Sequence, residues 1–362
     1  MQPSFANLFE LEELAKAKLP KAVFDYYVGG SGDEVAVRRN REAYQRWALR
    51  PRVLVDVGQR STSTTVLGDG ISMPLLVAPT ALHGLVDPEG ELASARGTAD
   101  AGTIFIASTL ATRSLEEIAS VATAPRWFQL YVSKDRKATE RLVVRAAKAG
   151  YRAVCVTLDA PILGRRERDE KNAFIPPQNL RIPNLESIGM EHMERMGEAG
   201  SGFAANFNKM IDPTLTWKDI DWLSSTSPLP LVLKGIMTRE DAKLAVEHNA
   251  KAIIVSNHGG RQLDDTVGTL DALPEVVEAV QGQAEVLIDG GIRRGTDILK
   301  ALALGAHAVL LGRPILWGLA LSGRLGVRAV LEHLRVELDS AMALTGRRTI
   351  EEIDRGLLQP AL

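Results

Sequence analysis

Two glycine–arginine clusters could do chemistry together, Asp289-Gly290-Gly291-Ile292-Arg293 and Gly312-Arg313-Pro314. Glycine lets backbone amides approach a ligand closely, and a neighbouring arginine adds a fixed cation, so such clusters can hold a phosphate dianion. A Gly-Gly pair alone also suits a tight strand-to-helix turn. The arginines therefore carry the phosphate reading, which leaves open what phosphorylated molecule binds. A third cluster, Ser256-Asn257-His258-Gly259-Gly260-Arg261, sets an imidazole and a guanidinium in an equally permissive backbone. Other polar residues sit at the ends of apolar runs: Pro79-Thr80-Ala81, Ser108-Thr109, Gln129 with Tyr131, Thr157 with Asp159, and Lys234. Taken singly, each has a plain reading; Asp159 could cap a turn and Lys234 could be a snorkelling surface lysine.

Those residues must be positioned by short strands. The apolar runs are Leu75 to Ala78, Thr103 to Ala107, Trp127 to Val132, Ala153 to Leu158, Leu229 to Leu233, Ala252 to Val255, Glu285 to Ile288 and Ala308 to Leu311. Amphipathic segments of helix length separate most of them. Continuous apolar strands belong in a parallel sheet covered by helices. Eight strand–helix units predict an α/β fold of the (β/α)8 TIM-barrel kind rather than an open doubly wound sheet. In such a barrel the C-terminal strand ends converge on one mouth. The polar residues then become neighbours, with the two Gly–Arg clusters after the last two strands, where this fold places phosphate.

A helical preamble precedes the barrel. Leu8, Leu11 and Leu14 are spaced for one helical face, Pro20 starts a second helix, and residues 33 to 47 suit a surface helix before Pro51 ends regular structure. The expected organisation is one domain over residues 1–362, with the preamble over 1–70 and the barrel over 71–362. The connection from Pro161 to Trp217 is too long for a simple turn, and a lid loop over about residues 165–215 is expected at the mouth.

With 45% hydrophobic and 24% charged residues, a chain of 362 residues can bury a core without disulfide or metal, and no metal is expected. A net charge of −2 gives no field that would attract nucleic acid or an anionic membrane. The single cysteine, Cys155, lies in an apolar run and reads as a structural thiol. No basic-then-apolar leader, apolar run of about 20 residues or peroxisomal C-terminus is visible, so a cytoplasmic protein is expected.

At this point a family becomes recognisable. Asp25-Tyr26-Tyr27, Ala78 to Ala81, Pro88-Glu89-Gly90-Glu91, Phe128 to Tyr131, Leu163-Gly164-Arg165-Arg166, Leu233-Lys234-Gly235, Ser256 to Asp264, Asp289 to Gly295 and Gly312-Arg313-Pro314 carry the likeness. The chain resembles the FMN-dependent L-2-hydroxy acid oxidases and dehydrogenases, and within them most of all the cyanobacterial-type L-lactate oxidases. The resemblance implies FMN across the barrel mouth, its phosphate on Gly291, Arg293, Gly312 and Arg313, beside Asp289 and Gly290. Pro79, Thr80, Ala81, Ser108, Gln129, Thr157 and Ser256 would line the flavin, and Lys234 would sit by its N1 and O2, where reduction leaves negative charge. Arg166, Arg261 and Tyr26 would hold the substrate carboxylate, and Tyr131 the hydroxyl that becomes a keto group. His258 would be the base, oriented by Asp159. The other five histidines lack such a context, and His83, near the end of the first strand, is the least safe of them to dismiss.

One position departs from the glycolate-oxidase pattern, where a tryptophan covers the substrate; here it is Leu110, in Ser108-Thr109-Leu110-Ala111. With Leu163 it would shape a pocket wider than glycolate needs, so L-lactate or a modestly larger acid is the expected substrate and O2, giving H2O2, the expected acceptor. The alternative is a soluble FMN-dependent dehydrogenase that uses another acceptor or prefers glycolate, mandelate or a longer-chain acid. There is no room for a haem domain before Phe5, and Met190, Met193, Met196 and Phe203 suit lid packing better than a membrane anchor. The likeness also implies a homotetramer or larger. Two rival readings are a barrel isomerase or aldolase with Lys234 as Schiff-base nucleophile, and a flavin-binding scaffold without activity.

Overall fold

The computed structural model describes residues 4–177, 179–186 and 207–361. The eight apolar runs form the strands β1 (Leu75–Val77), β2 (Phe105–Ala107), β3 (Arg126–Leu130), β4 (Ala153–Thr157), β5 (Leu231–Ile236), β6 (Ala252–Val255), β7 (Glu285–Asp289) and β8 (Ala308–Leu311). They close into a parallel barrel in sequence order, β8 pairing with β1 through Val309↔Leu75 and Leu311↔Val77. The (β/α)8 expectation holds.

Side chains alternate across each strand. Leu76, Ile106, Trp127, Cys155, Val232, Ile254, Leu287 and Leu310 pack together as one buried cluster inside the barrel. Their neighbours in sequence, such as Val154, Val156, Leu233 and Val255, join the larger core shared with the outer helices. Burial pushes the Cys155 thiol up to about 12, in keeping with an inert structural residue. A hairpin of Thr64–Val66 and Asp69–Ile71 adds Val66 and Ile71 to the interior cluster.

The preamble comprises α1 (Leu8–Lys18), α2 (Lys21–Val28) and α3 (Val35–Gln45). One expectation fails in α1. Leu8 and Leu11 are fully buried, but Leu14 is 39% exposed and Ala15 takes the third core position. Position i+7 returns to the face of i more closely than i+6, and the larger side chain gave the misleading signal. The strand Trp47–Leu49, unanticipated, pairs antiparallel with Leu358–Pro360.

The helix Arg313–Leu344 is long and apolar enough to span a bilayer, although 67% of its most apolar window is buried in the protein. Its backbone breaks at Ser322 and Gly323. It packs on α1 and on the helices Glu91–Asp100 and Gly295–Ala303, as a core helix does.

The connection after β4 is better fastened than a free loop. Arg168 makes a bidentate contact with Glu34 at 2.6 Å for both bonds, and Asn172 donates to Asp25 at 2.8 Å. Phe174 stacks on Tyr26 with ring centroids 4.6 Å apart. Met190, Met193, Met196 and Phe203 lie outside the described residues.

Candidate active site

The inward-facing set of most strands, continued by two residues, becomes polar at the C-terminal mouth. Trp127 leads to Gln129 and Tyr131, Cys155 to Thr157, Val232 to Lys234, Ile254 to Ser256, and Leu287 to Asp289. These ends surround one cavity that opens to solvent at the barrel mouth. Tyr26, Tyr131, Arg166, His258 and Arg261 line it. So do Pro79, Thr80, Ala81, Ser108, Gln129, Thr157, Lys234, Leu110 and Leu163. At one end are Asp289, Gly290, Gly291, Arg293, Gly312 and Arg313.

Two expected residues stand behind this wall instead. Ser256 is fully buried, accepting from Lys234 Nζ at 2.9 Å and from the His258 amide at 3.1 Å while donating to Asp289 at 2.9 Å. It fixes its neighbours rather than facing the cavity. Asp159 accepts from or shares a proton with His258 Nδ1 at 2.9 Å, and its other oxygen, Oδ2, is buried with no partner among the described residues.

His258 is set by backbone as well as by hydrogen bonds. Its φ of 59° is left-handed, followed by Gly259 and Gly260 at 65° and 74°, so the chain turns sharply off β6 and leaves the ring in the mouth. Burial, the largest influence, holds the His258 pKa below its usual 6.5, although Asp159 opposes it. Burial also works against the Asp159 carboxylate, but His258 and Lys234 outweigh it and keep that pKa below the ordinary value. The ring is thus neutral and ready to accept a proton near neutral pH.

Lys234 owes its aim to a break in β5. The register with β6 shifts between Lys234 and Ile236 at Gly235, whose φ is 109°. A Cβ on Gly235 would lie 2.8 Å from the Asp159 Cβ, so glycine permits β5 to press against β4's end. Lys234 Nζ lies 3.4 Å from Asp289. Burial disfavours its charge, yet Asp289 and Asp159 overcome that and raise its pKa above the usual lysine value.

Two arginines press on the Tyr26 ring, Arg261 at 5.1 Å and Arg166 at 6.0 Å from its centroid. Arg261 Nη1 donates to the carbonyls of Tyr26 at 2.6 Å and Gly29 at 2.7 Å. Burial and then Arg166 push the Arg261 pKa down to about 10. Arg166 is buried with its Nε unpartnered among the described residues. Two crowded, desolvated cations with spare donors are stabilised by an anion, and a carboxylate matches their geometry.

At the glycine-rich end, Gly290 and Gly291 have φ of 97° and 80°. A Cβ on Gly291 would fall 2.0 Å from the Asn40 carbonyl oxygen, so only glycine fits beneath α3. Arg313 differs from a free phosphate clamp. It donates to the carbonyls of Tyr27, Gly259 and Gly29 at 2.9, 2.9 and 2.8 Å. A guanidinium carries five donors, so two N–H groups remain for a ligand. Burial, then Arg261 and Arg293, push its pKa down to about 9, which again calls for an anion. The Arg313–Gly259 bond also puts His258 on the same rim as the glycine–arginine clusters.

Several functional positions were not evident in the sequence. Tyr27 donates to the carbonyls of Ala81 and Leu82 at 3.1 and 2.7 Å, holding the turn after β1. Phe207 meets Tyr131 edge-on at 5.1 Å and lines the cavity. Within the third cluster, Asn257 and Asn40 exchange amide bonds at 2.8 and 2.9 Å, and Asp264 caps α3 through the Ala36 amide at 2.8 Å. Gln262 accepts from the Gly164 amide at 3.0 Å and donates to the Asp159 carbonyl at 3.1 Å. His83 does not line the cavity; its ring lies between Thr80 Oγ1 at 2.5 Å and Ser94 Oγ at 2.8 Å, where burial lowers its pKa.

The profile of FMN-dependent dehydrogenases matches residues 15–360. The chain belongs to that family. It is 54% identical over 357 residues to an L-lactate oxidase of Nostoc sp., covering 97% of each chain. A glycolate oxidase of Arabidopsis thaliana is 50% identical over 349 residues, 96% of this chain and 94% of the relative. Among solved structures, a mandelate oxidase with (S)-4-hydroxymandelic acid superposes with TM-score 0.94 at 43% identity, covering 99% of both chains. A soluble mutant of the (S)-mandelate dehydrogenase of Pseudomonas putida gives 0.91 at 40%, covering 99% of this chain and 100% of that one. The cofactor of this FMN-dependent enzyme fits the cavity: the positive-φ glycines Gly290 and Gly291 and the two spare N–H groups of Arg313 suit a phosphorylated ligand.

Proposed function

We propose that this enzyme oxidises a small L-2-hydroxy acid, foremost L-lactate, to the 2-keto acid while O2 is reduced to H2O2. The observation that carries the reading is the His258–Asp159 couple beside the buried Arg166–Tyr26–Arg261 group in one cavity. Arg166, Arg261 and Tyr26 would bind the carboxylate and so fix the α-carbon. Burial raises the Tyr131 pKa, so its hydroxyl stays protonated and can donate to the substrate oxygen. His258 would take the proton that leaves the substrate, and Asp159 would hold the ring and stabilise the imidazolium. FMN, when bound, supplies the two-electron acceptor. Lys234 would hold the flavin edge that gains negative charge, and Pro79, Thr80, Ala81, Ser108, Gln129 and Thr157 its ring. Gly291, Arg293, Gly312 and Arg313 would hold the phosphate, with Asp289 and Gly290 shaping the turn.

Leu110, Leu163 and Phe207 line the cavity, where a smaller residue than tryptophan favours a methyl-bearing acid over glycolate. One carbon is worth about 1–3 kcal/mol in an apolar pocket, so the preference is graded. Anaerobic mixing with L-lactate, glycolate, L-mandelate and longer acids is expected to bleach the flavin fastest with L-lactate, and air to restore it. Glycolate far ahead of lactate would sink the substrate assignment. Failure of air to restore colour would move the acceptor away from O2.

We also read the assembly as a homotetramer or larger. In support, Val53 and Leu54 are 81% and 102% exposed in an apolar run with Val55, a segment that a partner subunit would cover. A monomer mass by sedimentation would overturn this.

A further inference from the structure

A carboxylate from outside the barrel reaches one of the arginines that line the glycine–arginine end of the cavity. Glu12, midway along α1, places Oε2 3.6 Å from Arg293 Nη2, and their side chains are only 24% and 13% exposed. Other nearby acids are already engaged. Asp297 accepts from the Arg293 and Arg294 amides at 2.8 and 3.0 Å and from Arg41 at 2.9 Å, while Glu337 pairs with Arg294 at 2.8 Å. Among the described residues, the Arg293 guanidinium otherwise meets the Ile292 carbonyl at 2.9 Å. The Glu12 contact is longer than a hydrogen bond, so it is a loose electrostatic pair that can be exchanged.

We propose that Glu12 is a built-in counter-anion for Arg293, with which the FMN phosphate competes, so that α1 sets how tightly the cofactor is held. This rests on the reading that Arg293 and Arg313 bind the phosphate. Before the flavin enters, Glu12 offsets part of the cost of two buried cations; burial lowers both arginine pKa values and Glu12 opposes that shift. Once a dianion arrives, the same carboxylate becomes a like charge nearby. Removing it therefore strengthens phosphate binding and weakens the flavin-free protein.

The test compares wild type, Glu12→Gln and Glu13→Gln, the last an exposed neighbour on the same helix. Full-length protein freed of flavin is titrated with FMN and with riboflavin, which lacks the phosphate, by fluorescence quenching. Glu12→Gln is expected to tighten FMN about five- to tenfold and slow its release, with riboflavin affinity unchanged, as for a charge removed near the binding anion. Thermal midpoints should fall for the flavin-free variant but not for the FMN-loaded one, and Glu13→Gln should match wild type. Unchanged or weaker FMN binding in Glu12→Gln, or a parallel change for riboflavin, would overturn the proposal. Wild type that binds FMN no better than riboflavin would instead remove the phosphate reading on which it rests.

Discussion

The His258→Gln enzyme is expected to keep FMN at full stoichiometry and to lose turnover by about three to four orders of magnitude, within the usual range for a lost general base. An amide nearly matches the imidazole in volume and can still donate to Asp159, which His258 meets at 2.9 Å. It cannot take a proton. The phosphate-end residues are separate side chains, so cofactor content by absorbance should stay near one per chain. Near-normal turnover in a folded, yellow variant would exclude His258 as the base. The wild-type pH profile carries the same argument. The base must be neutral, and the folded pKa lies below 6.5 because burial disfavours the cation. Activity as kcat/KM should therefore persist below pH 6.5 and fall as pH drops through the lowered value. In Asp159→Asn the one opposing charge is gone, so the acid limb should move lower still as turnover falls. A limb above 6.5 in wild type would contradict this account.

Lys234→Met should produce the second large effect, slowing flavin reduction by about 100- to 1000-fold, the range seen when one stabilising donor is removed from a developing charge. Lys234 is buried 3.4 Å from Asp289 and donates to Ser256 at 2.9 Å. Methionine has similar length but leaves Asp289 as an uncompensated buried carboxylate, which costs about 3–5 kcal/mol. FMN retention and thermal stability should fall together. The double variant Lys234→Met with Asp289→Asn separates the two causes. It should recover much of the stability while anaerobic reduction by substrate stays slow. Recovery of the reduction rate as well would make Lys234 a structural partner of Asp289 only.

Much of this arrangement was legible because a parallel barrel imposes a simple rule. Strand side chains alternate, the interior is apolar, and the same parity continued past the strand reaches the mouth. Gln129, Thr157, Lys234 and Asp289 follow that rule from Trp127, Cys155, Val232 and Leu287. Ser256 follows it too, but the left-handed turn at His258 carries the chain away and leaves Ser256 behind the wall. Residue type could not reveal that layer. Leu14 misled because apolar identity was weighed above helical angle, and Phe207 carried no motif to distinguish it from other loop aromatics.

The sequence by itself determined the eight strands, their order, the polar ends and the family, since local periodicity and motif residues are properties of short segments. Only tertiary structure decided that Arg313 spends three donors on carbonyls of distant chain segments, that Gly235 lets β5 press on Asp159, and that α1 brings Glu12 to Arg293. Those facts depend on which surfaces meet across tens to hundreds of residues, and no local pattern encodes a distance between segments that touch only after the barrel has closed.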